Sequence, residues 1–376
     1  MKKVIVIFTN YGPYHIARVG EFHQVAKEND WEVIGLEFSR SESIYPWKVD
    51  IANLPYSLIT LFNDKVLEEI EKIRLVKSLF KVLEEHQPFS IVVAGYSPFA
   101  MFCAMIWGKL RHKPVILMTE SKEDDSQRDP LKEAIKRSLL KNYKSALVGG
   151  APQKRYLKKL GMASEKIFIG YDVVNNDFFT TSKETQHQNP IHKKFFLSIN
   201  RFIKKKNLHT LISAYAIYRQ KLGSNAWDLV LCGDGELKEE IKKQIFNLQL
   251  ESFIHLPGFL QSEEQLPYFA HAGCFIHAST QEQWGLVVNE AMASGLPVLV
   301  SKKCGCFEDL VIEGENGFGF NPESIVELSY YMERMSSGEI NLSEFGKKSS
   351  EHIKNFSPML FATNLVKAIQ CSLAVS

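Results

Sequence analysis

Short apolar runs alternate along the chain with longer amphipathic stretches. The apolar runs are rich in β-branched residues and have the length of buried strands, whereas the amphipathic stretches have apolar positions at helical spacing. This alternation predicts βαβ units and parallel sheets that are covered by helices on both faces. The predicted strands are residues 3–8, 32–37, 56–61, 90–94, 114–118, 145–149, 166–169, 195–199, 227–232, 252–256, 273–277, 297–300 and 317–320. The predicted helices include residues 64–86, 131–143, 207–221, 236–247 and 285–294.

A polar stretch interrupts this alternation near the middle of the chain. Residues 181–193 contain Pro190 and lack apolar periodicity, which predicts a linker. The segments on either side, 1–180 and 194–357, are each long enough for a doubly wound sheet, so we expect two Rossmann-like α/β domains. Ligands of open α/β sheets bind beyond the carboxyl ends of the strands, and two such domains facing each other would form a cleft. A last helical segment, within 358–376, is expected to pack back on the first domain.

Composition excludes several classes of protein. The formal net charge is +2, and the aromatic residues lie in apolar runs rather than between lysines, which disfavours a nucleic-acid-binding protein. Six cysteines are scattered without paired CxxC motifs, so we expect reduced thiols and no zinc site. The start of the chain lacks the pattern of a signal peptide, and every apolar run is too short to span a bilayer. These features predict a cytoplasmic protein.

Two carboxylates flank a predicted helix start in the segment 279–298. The helix begins near Gly285, where three backbone N–H groups and the helix dipole would bind a diphosphate. These N–H groups belong to Gly285, Leu286 and Val287. Glu290 lies about 7–8 Å further along the helix axis and would accept hydrogen bonds from ribose hydroxyls. Glu282 precedes the helix and would face a sugar. The pair could also be two surface glutamates on an amphipathic helix, but the adjoining strands and glycines favour the binding site.

Two cations stand near the same predicted edge of the second sheet. Arg201 ends a predicted strand and can bind phosphate oxygens with its guanidinium, and Lys206 adds a positive charge one short loop later. Together they would stabilise the negative charge that develops on a departing diphosphate, in place of a metal ion. Lys204 and Lys205 are expected to be solvated. No convincing DxD metal-binding motif is present, so we predict that the protein has no metal site.

Five motifs in this order resemble the retaining glycosyltransferases of family 4 (group 1), which have the GT-B fold. They are the E-x7-E pair Glu282 and Glu290, the R-x4-K pair Arg201 and Lys206, the turn 233–235, the loop 256–260 and the turn 314–317. The resemblance implies catalysis by Arg201, Lys206 and Glu282 with retention of configuration. It implies donor binding by Glu290, Gly285, Leu286, Val287 and Gly233. Phe259 and Leu260 would contact the nucleotide base of the donor. It further implies a nucleotide-diphosphate sugar, with a UDP-sugar as the first guess, and no separate cofactor.

The first half departs from that family in two places. The loop after the first strand has Gly12 alone where many members have two glycines, and Gly12 is expected to contact donor phosphates. His15 lies three residues later, and it could either contact the donor or acceptor or be a structural residue. A histidine common in the family is absent after strand 114–118. Glu120 and Ser121 stand there instead and would contact sugar hydroxyls, with Arg128 near a charged group of donor or acceptor; the alternative is a polar surface loop.

The region 131–160 is basic and includes an amphipathic helix. Glu133 is the single acidic residue in this region. The nine basic residues are Lys132, Lys136, Arg137, Lys141, Lys144, Lys154, Arg155, Lys158 and Lys159. This composition suits the anionic cytoplasmic face of a membrane that presents a lipid-linked acceptor, and it also suits a solvated helix face. The region therefore leaves peripheral membrane binding open.

The motifs and the resemblance predict transfer of a hexose-type sugar to a glycan or lipid-linked acceptor in polysaccharide or oligosaccharide biosynthesis. The rivals are a nucleotide-sugar epimerase or a sugar phosphorylase on the same fold, and a nucleotide-sugar-binding protein without turnover. A dehydrogenase is disfavoured because neither half has G-x-G-x-x-G after its first strand.

Overall fold

The chain folds into two compact α/β units. The computed structural model describes residues 1–41, 49, 51–96, 98–126, 128–184 and 187–373. The first unit comprises Met1–Asn175 together with the C-terminal segment from Phe356, and the second unit comprises Asn176–Asn355. The predicted α/β class with two Rossmann-like domains is therefore confirmed.

The described part of the first unit contains a seven-stranded sheet with the order β3-β2-β1-β4-β5-β6-β7. All neighbouring strands are parallel. The strands are β1 (Lys2–Phe8), β2 (Trp31–Ser41), β3 (Ser57–Val66), β4 (Ser90–Ala94), β5 (Val115–Thr119), β6 (Ser145–Val148) and β7 (Ile167–Ile169). The helices are α1 (Pro13–Lys27), α2 (Lys72–His86), α3 (Phe99–Leu110), α4 (Pro130–Leu140), α5 (Ala151–Lys159) and, from the end of the chain, α14 (Pro358–Leu373).

The C-terminal helix α14 is part of the first unit. It contacts α1, β5, β6 and β7, and Ser145 Oγ at the start of β6 donates a hydrogen bond to the Ala368 carbonyl at 2.7 Å. Asn364 Nδ2 donates to the Ile169 carbonyl at 3.0 Å. Its buried face, which includes Phe361, Leu365 and Ile369, supplies the hydrophobic surface that keeps the helix there.

The second unit contains a six-stranded parallel sheet in the order β10-β9-β8-β11-β12-β13. The strands are β8 (Phe195–Ile199), β9 (Asp228–Cys232), β10 (Ile254–Gly258), β11 (Cys274–His277), β12 (Val298–Ser301) and β13 (Gly317–Phe320). The helices are α6 (Asn176–Glu184), α7 (Leu208–Leu222), α8 (Lys238–Asn247), α9 (Ser262–His271), α10 (Leu286–Ala293), α11 (Phe307–Leu310), α12 (Ile325–Ser336) and α13 (Leu342–Ile353).

Both sheets are buried on both faces in their central strands. β4 has the sequence SIVVA and β9 has DLVLC, and each contains four consecutive apolar residues, as parallel strands between helix layers require. Helix α2 covers one face of the first sheet with Leu75, Leu79 and Leu83, which are spaced four residues apart. The pattern of hydrophobic residues in the strands and helices therefore explains why each sheet is covered by layers of helices.

Each sheet has one position where the strand order reverses. In the first unit β1 lies between β2 and β4, and in the second unit β8 lies between β9 and β11. The connections from the two neighbouring strands run to opposite sides there, which leaves a crevice at the carboxyl edge where α/β proteins bind ligands. The loops after β8 and β11 are the ones that contain Arg201 and Glu282.

Two predicted element boundaries are corrected by tertiary contacts. Residues 64–66, predicted as helix, continue β3, because β3 pairs with β2 as far as Val66 opposite Ser41; helix α2 begins at Lys72. The polar stretch 181–193 was expected to be a linker, but residues 181–184 belong to α6 of the second unit. Phe179 anchors that helix through an edge-to-face contact with Phe269, with the ring centroids 5.8 Å apart. Residues 185 and 186 of the expected linker lie outside the described residues.

Candidate active site

Four loops at the carboxyl edge of the second sheet are joined by backbone hydrogen bonds. The Asn200 N–H bonds to the Cys232 carbonyl at 3.0 Å, and the Gly233 N–H bonds to the Gly258 carbonyl at 2.7 Å. The Thr280 N–H bonds to the Lys205 carbonyl at 2.9 Å and links the loop after β11 to the loop after β8. The predicted motifs, which are far apart in sequence, are thereby held along one edge.

Asn207 fixes the end of the loop that carries the predicted cations. Its φ is +59°, and its side-chain Nδ2 donates to the carbonyls of Ala278 at 3.1 Å and Pro322 at 2.8 Å. Asparagine tolerates this left-handed conformation better than most residues. The loop from Arg201 to Lys206 therefore ends at a residue that is tied to the strand edge next to Glu282.

Gly233 allows the loops after β8 and β9 to approach closely. Its φ is +134°, and a Cβ built there would lie 1.7 Å from the Asn200 carbonyl oxygen. The close approach therefore needs glycine on steric grounds. This places Gly233 at the edge where the sequence predicts donor binding.

Helix α10 begins directly after Gly285, which has a φ of +112°. The Val288 N–H bonds back to the Gly285 carbonyl at 2.9 Å, which closes the first turn. Among the described residues, no hydrogen bond uses the N–H groups of Gly285, Leu286 or Val287. A helix start with available N–H groups and a positive dipole end suits an anion such as a diphosphate.

Glu282 is the centre of a polar cluster in front of this helix. Its carboxylate forms an ion pair with the Lys206 ammonium group. Ser279 Oγ donates to the same carboxylate at 3.2 Å, and His277 Nε2 lies 3.3 Å from it. The predicted catalytic residues Lys206 and Glu282 are therefore in direct contact.

The protonation states of this cluster follow from its surroundings. Burial lowers the pKa of His277, and its hydrogen bond to Glu282 offsets this only in part, so the imidazole is neutral. Burial on its own raises the pKa of Glu282. The hydrogen bond from His277 and the charge of Lys206 outweigh that effect and hold the pKa well below its usual range. Glu282 is therefore an ionised acceptor at neutral pH.

Glu290 lies on α10 and is 3% exposed. The helix is anchored beside it by Trp284, whose indole N–H donates to Asn289 Oδ1 at 2.9 Å. Trp284 and Asn289 are themselves buried, so the start of α10 is fixed by an internal hydrogen bond. This rigidity suits a side chain expected to bind ribose hydroxyls.

The remaining candidates of this unit lie on the neighbouring loops. Arg201 is partly exposed directly after β8. Phe259 is 41% exposed after β10, next to Leu260, whose carbonyl accepts a hydrogen bond from Gln265 Nε2 at 2.9 Å. A large aromatic side chain that is exposed at the carboxyl edge is available for stacking on a base.

In the first unit, Gly12 and His15 are bonded to each other. The Gly12 N–H donates to His15 Nδ1 at 3.1 Å, and Gly12 has an extended conformation with φ −84°. Burial lowers the pKa of His15 to about 3, with a further contribution from Arg18. His15 is therefore neutral with its proton on Nε2. The Gly12 N–H is thus engaged within its own helix turn, and the contact of Gly12 with donor phosphates stays a prediction.

Arg128 is likewise engaged within the first unit. Its guanidinium donates to Asp125 Oδ1 and to the Glu123 carbonyl, both at 2.5 Å, and lies 4.5 Å from the centroid of the Tyr156 ring. It also lies 3.6 Å from a Glu133 oxygen. These contacts order the polar loop after β5. They pair the guanidinium of Arg128 within the first unit, whereas the sequence predicts that it lies near a charged group of the donor or acceptor.

Glu120 and Ser121 stand at the carboxyl end of β5, as expected from their place in the sequence. Ser121 Oγ accepts a hydrogen bond from the Tyr96 hydroxyl at 3.2 Å. Glu120 acts on the buried Asp172: burial raises the pKa of Asp172, and the Glu120 carboxylate raises it further, against the opposing charge of Arg18. Glu120 thus belongs to a polar group with Asp172 and Arg18, whereas Ser121 is bonded to Tyr96.

Sequence reasoning missed His277, Ser279 and Asp172. Each follows or ends a strand at a carboxyl edge, and each is buried. The available signal was a polar residue at the end of an otherwise apolar run, as in Cys274–His277. Nowhere in the part of the chain that the structure describes do three or more His, Cys, Asp or Glu side chains gather so as to hold a metal ion.

Comparison with known proteins gives a family match within the second unit. Residues 180–352 match the family described as glycosyl transferases group 1. An alpha-monoglucosyldiacylglycerol synthase of Streptococcus pneumoniae is 33% identical over 107 residues, which are 28% of this chain and 24% of that protein. The alpha-1,3/1,6-mannosyltransferase ALG2 of Dictyostelium discoideum is 26% identical over 224 residues, which are 52% of this chain and 53% of that protein. The alignments therefore span about a quarter to a half of the length of these relatives.

Solved structures match the whole chain. Sucrose-phosphate synthase from Thermosynechococcus elongatus superposes with a TM-score of 0.77 at 17% identity, with 100% of both chains covered. HepE of Anabaena in complex with UDP superposes with a TM-score of 0.73 at 16% identity and covers 98% of this chain and 100% of that one. At these identities the likeness establishes the fold. The second unit thus carries the match to the group 1 glycosyl transferases, and the chain has the paired Rossmann-like domains of the GT-B fold.

Proposed function

We propose that this protein is a retaining, metal-independent glycosyltransferase that moves a hexose-type sugar from a nucleotide diphosphate to a glycan or lipid-linked acceptor. The observation that carries the proposal is the cluster at the carboxyl edge of the second sheet. There an ionised Glu282 is paired with Lys206 in front of the start of α10, with buried Glu290 on the same helix. This arrangement offers a cation and helix N–H groups for a diphosphate and a carboxylate for sugar hydroxyls.

The proposed reaction is a front-face displacement. The bond between the anomeric carbon and the donor phosphate oxygen breaks while the acceptor oxygen bonds to the same face of that carbon. The acceptor proton passes to the departing diphosphate, whose negative charge Arg201 and Lys206 stabilise. One carboxylate oxygen of Glu282 is held by Lys206, Ser279 and His277, and we assign the residue to binding the sugar rather than to nucleophilic attack.

The relatives support the substrate classes of this proposal. Solved neighbours include HepE of Anabaena with UDP and with UDP-glucose, which favours a UDP-sugar as donor. Named relatives include alpha-monoglucosyldiacylglycerol synthases and the O-antigen chain mannosyltransferase RfbU of Salmonella typhimurium. A glycan or lipid-linked acceptor in polysaccharide or oligosaccharide biosynthesis is therefore the class that we propose.

A membrane surface is the proposed place of action, at the cytoplasmic face. Within the described ranges, no helix combines the length and the apolar character needed to cross a bilayer. Helix α4, however, exposes Leu131 (72%) and Ile135 (52%) one turn apart, beside the exposed cations Lys132 and Arg137. Exposed apolar side chains flanked by cations are typical of helices that bind anionic lipid surfaces.

The test is a metal-free turnover screen. Purified protein is incubated with a panel of nucleotide sugars, and release of nucleoside diphosphate is followed with and without glycan and lipid-linked acceptors. We expect acceptor-dependent release from one donor, lost in Glu290→Ala and in Arg201→Ala. A donor that is isomerised without an acceptor would favour an epimerase, and a donor that is bound but unchanged would favour a binding protein; either result overturns the transferase proposal.

A further inference from the structure

Three hydrogen-bond donors converge on one oxygen of Glu282. Lys206 Nζ, Ser279 Oγ and His277 Nε2 all contact Oε2. Among the described residues, no hydrogen bond ends on the other carboxylate oxygen, Oε1. The carboxylate is therefore held by one oxygen, and the second remains an acceptor for a ligand.

His277 differs from the other two donors because it is fixed by the sheet. It is the last residue of β11 and is fully buried, and its ring lies nearly parallel to that of Phe275, with the centroids 6.4 Å apart. A neutral imidazole facing a carboxylate carries its proton on Nε2. Lysine has a long flexible side chain and serine a rotating hydroxyl, whereas the imidazole N–H has a single direction.

The other ring nitrogen of His277 indicates that packing alone does not explain the residue. In the structure as described, Nδ1 is buried and has no hydrogen-bond partner. A buried polar atom without a partner lowers stability, and an apolar side chain of similar volume would avoid that loss. The benefit of histidine at this position must therefore come from Nε2 and its contact with Glu282.

We propose that His277 is a positioning residue of the donor site: it holds Oε2 of Glu282 from the sheet side, so that Oε1 faces the donor sugar. This inference rests on the proposed function. His277 and Ser279 keep the carboxylate in place while Lys206 interacts with the diphosphate. Lys206 can then serve the leaving group without releasing the residue that binds the sugar.

The test compares two variants of the full-length protein. His277→Leu removes the donor and keeps an apolar side chain of similar size, whereas His277→Gln places an amide N–H near the position of Nε2. His23→Leu is the matched control, because His23 is a buried histidine of the first unit whose ring nitrogens also lack hydrogen-bond partners among the described residues. Each variant is assayed for melting temperature, UDP binding, and kcat and KM with the donor that the turnover screen identifies.

For His277→Leu we expect a melting temperature no lower than that of the wild type and unchanged UDP affinity. We expect kcat/KM for the nucleotide sugar to fall by about tenfold to a hundredfold, the size of one hydrogen bond to a charged group. His277→Gln should recover most of that loss, and His23→Leu should show none of it. In His277→Leu the acid-side decline of kcat/KM should also begin at a higher pH, because loss of the Nε2 donor raises the pKa of Glu282.

Three results would overturn the inference: wild-type kcat/KM in a folded His277→Leu, an equal loss of affinity for UDP and for the nucleotide sugar, or no recovery in a folded His277→Gln. A wild-type protein that neither binds nor turns over any nucleotide sugar would overturn the proposed function, and this inference with it. The two failures are therefore distinguished by the behaviour of the wild type.

Discussion

Lys206 and Glu282 are 76 residues apart in the sequence and form a direct ion pair at the carboxyl edge of the second sheet. Their side chains are 13% and 11% exposed, so water screens the pair only in part. The contact keeps the Lys206 ammonium group in front of α10. A cation placed in advance at the site of developing charge needs little reorganisation during the reaction.

Replacing Lys206 with methionine should lower turnover more than donor binding. The substitution keeps most of the apolar stem and removes the charge that stabilises the leaving diphosphate. We expect kcat to fall by about a hundredfold to a thousandfold, the range found when one stabilising donor is removed, while the donor KM changes much less. Steady-state kinetics with the identified donor measure both quantities.

The matched control is Lys204→Met, two residues earlier in the same short helical turn, where the side chain is exposed. It should keep wild-type kinetics. A Lys206→Met protein with unchanged kcat and a raised KM would show that Lys206 contributes to binding alone, against the proposed role.

Alanine at Gly233 should destabilise the protein more than alanine at Gly258. Both glycines have positive φ, +134° and +90°, but the added Cβ would lie 1.7 Å from the Asn200 carbonyl oxygen only at Gly233. A Cβ added at Gly258 would have no atom within 4 Å apart from those of the adjoining residues. We expect losses of about 3 kcal/mol or more for Gly233→Ala and about 1–2 kcal/mol for Gly258→Ala. Urea denaturation gives both values, and equal losses would show that the close loop approach is not rigid.

His15 should make the protein sensitive to mild acid. Its pKa is about 3 in the folded protein against an ordinary value of 6.5, so between these values the unfolded chain binds the extra proton. Stability therefore rises with pH through this window and is lost as the pH falls below about 6.5. From pH 7 to pH 5 the wild type should lose about 1–2 kcal/mol more than His15→Gln.

The His15→Gln side chain retains an oxygen that can accept the Gly12 N–H. The other histidines with lowered pKa, His23 and His277, are present in both proteins, and their effects cancel in the comparison. Denaturation curves at several pH values measure the difference. Parallel pH dependences in the two proteins would contradict the assigned pKa of His15.

Negative charge introduced on the exposed face of α4 should weaken binding to anionic vesicles. Leu131→Glu and Ile135→Glu each remove an exposed apolar side chain and add a negative charge next to Lys132 and Arg137. We expect reduced co-sedimentation with phosphatidylglycerol vesicles, and wild-type binding that decreases with salt. Phe246→Glu, at a 68% exposed position on α8, is the control. Equal binding by all of these proteins would remove α4 as the membrane contact.

The fold class could be predicted from the sequence because its signals are local. Each buried parallel strand is a short apolar run, and each covering helix repeats apolar residues at its own spacing; β4 and α2 show both patterns. The helix start at Gly285 and the cations after β8 were also predicted, since glycine and charged residues at strand ends are visible in the sequence.

The element boundaries near residues 66 and 184 were decided by contacts between distant residues. The end of β3 depends on pairing between Val66 and Ser41, and α6 is held by Phe179 against Phe269. Local polarity indicated a helix in the first case and a linker in the second. Tertiary packing overrode it because pairing and burial stabilise more than local propensity does.

The sequence by itself determined which residues could perform the chemistry, and the tertiary structure decided how they are used. Arg201, Lys206, Glu282 and Glu290 are identified by residue type and spacing. That three donors meet on Oε2 of Glu282, that the Gly12 N–H bonds to His15, and that Arg128 binds Asp125 follow only from side-chain positions. Hydrogen bonds require distances and directions within narrow limits, and only the folded chain sets these for residues far apart in sequence.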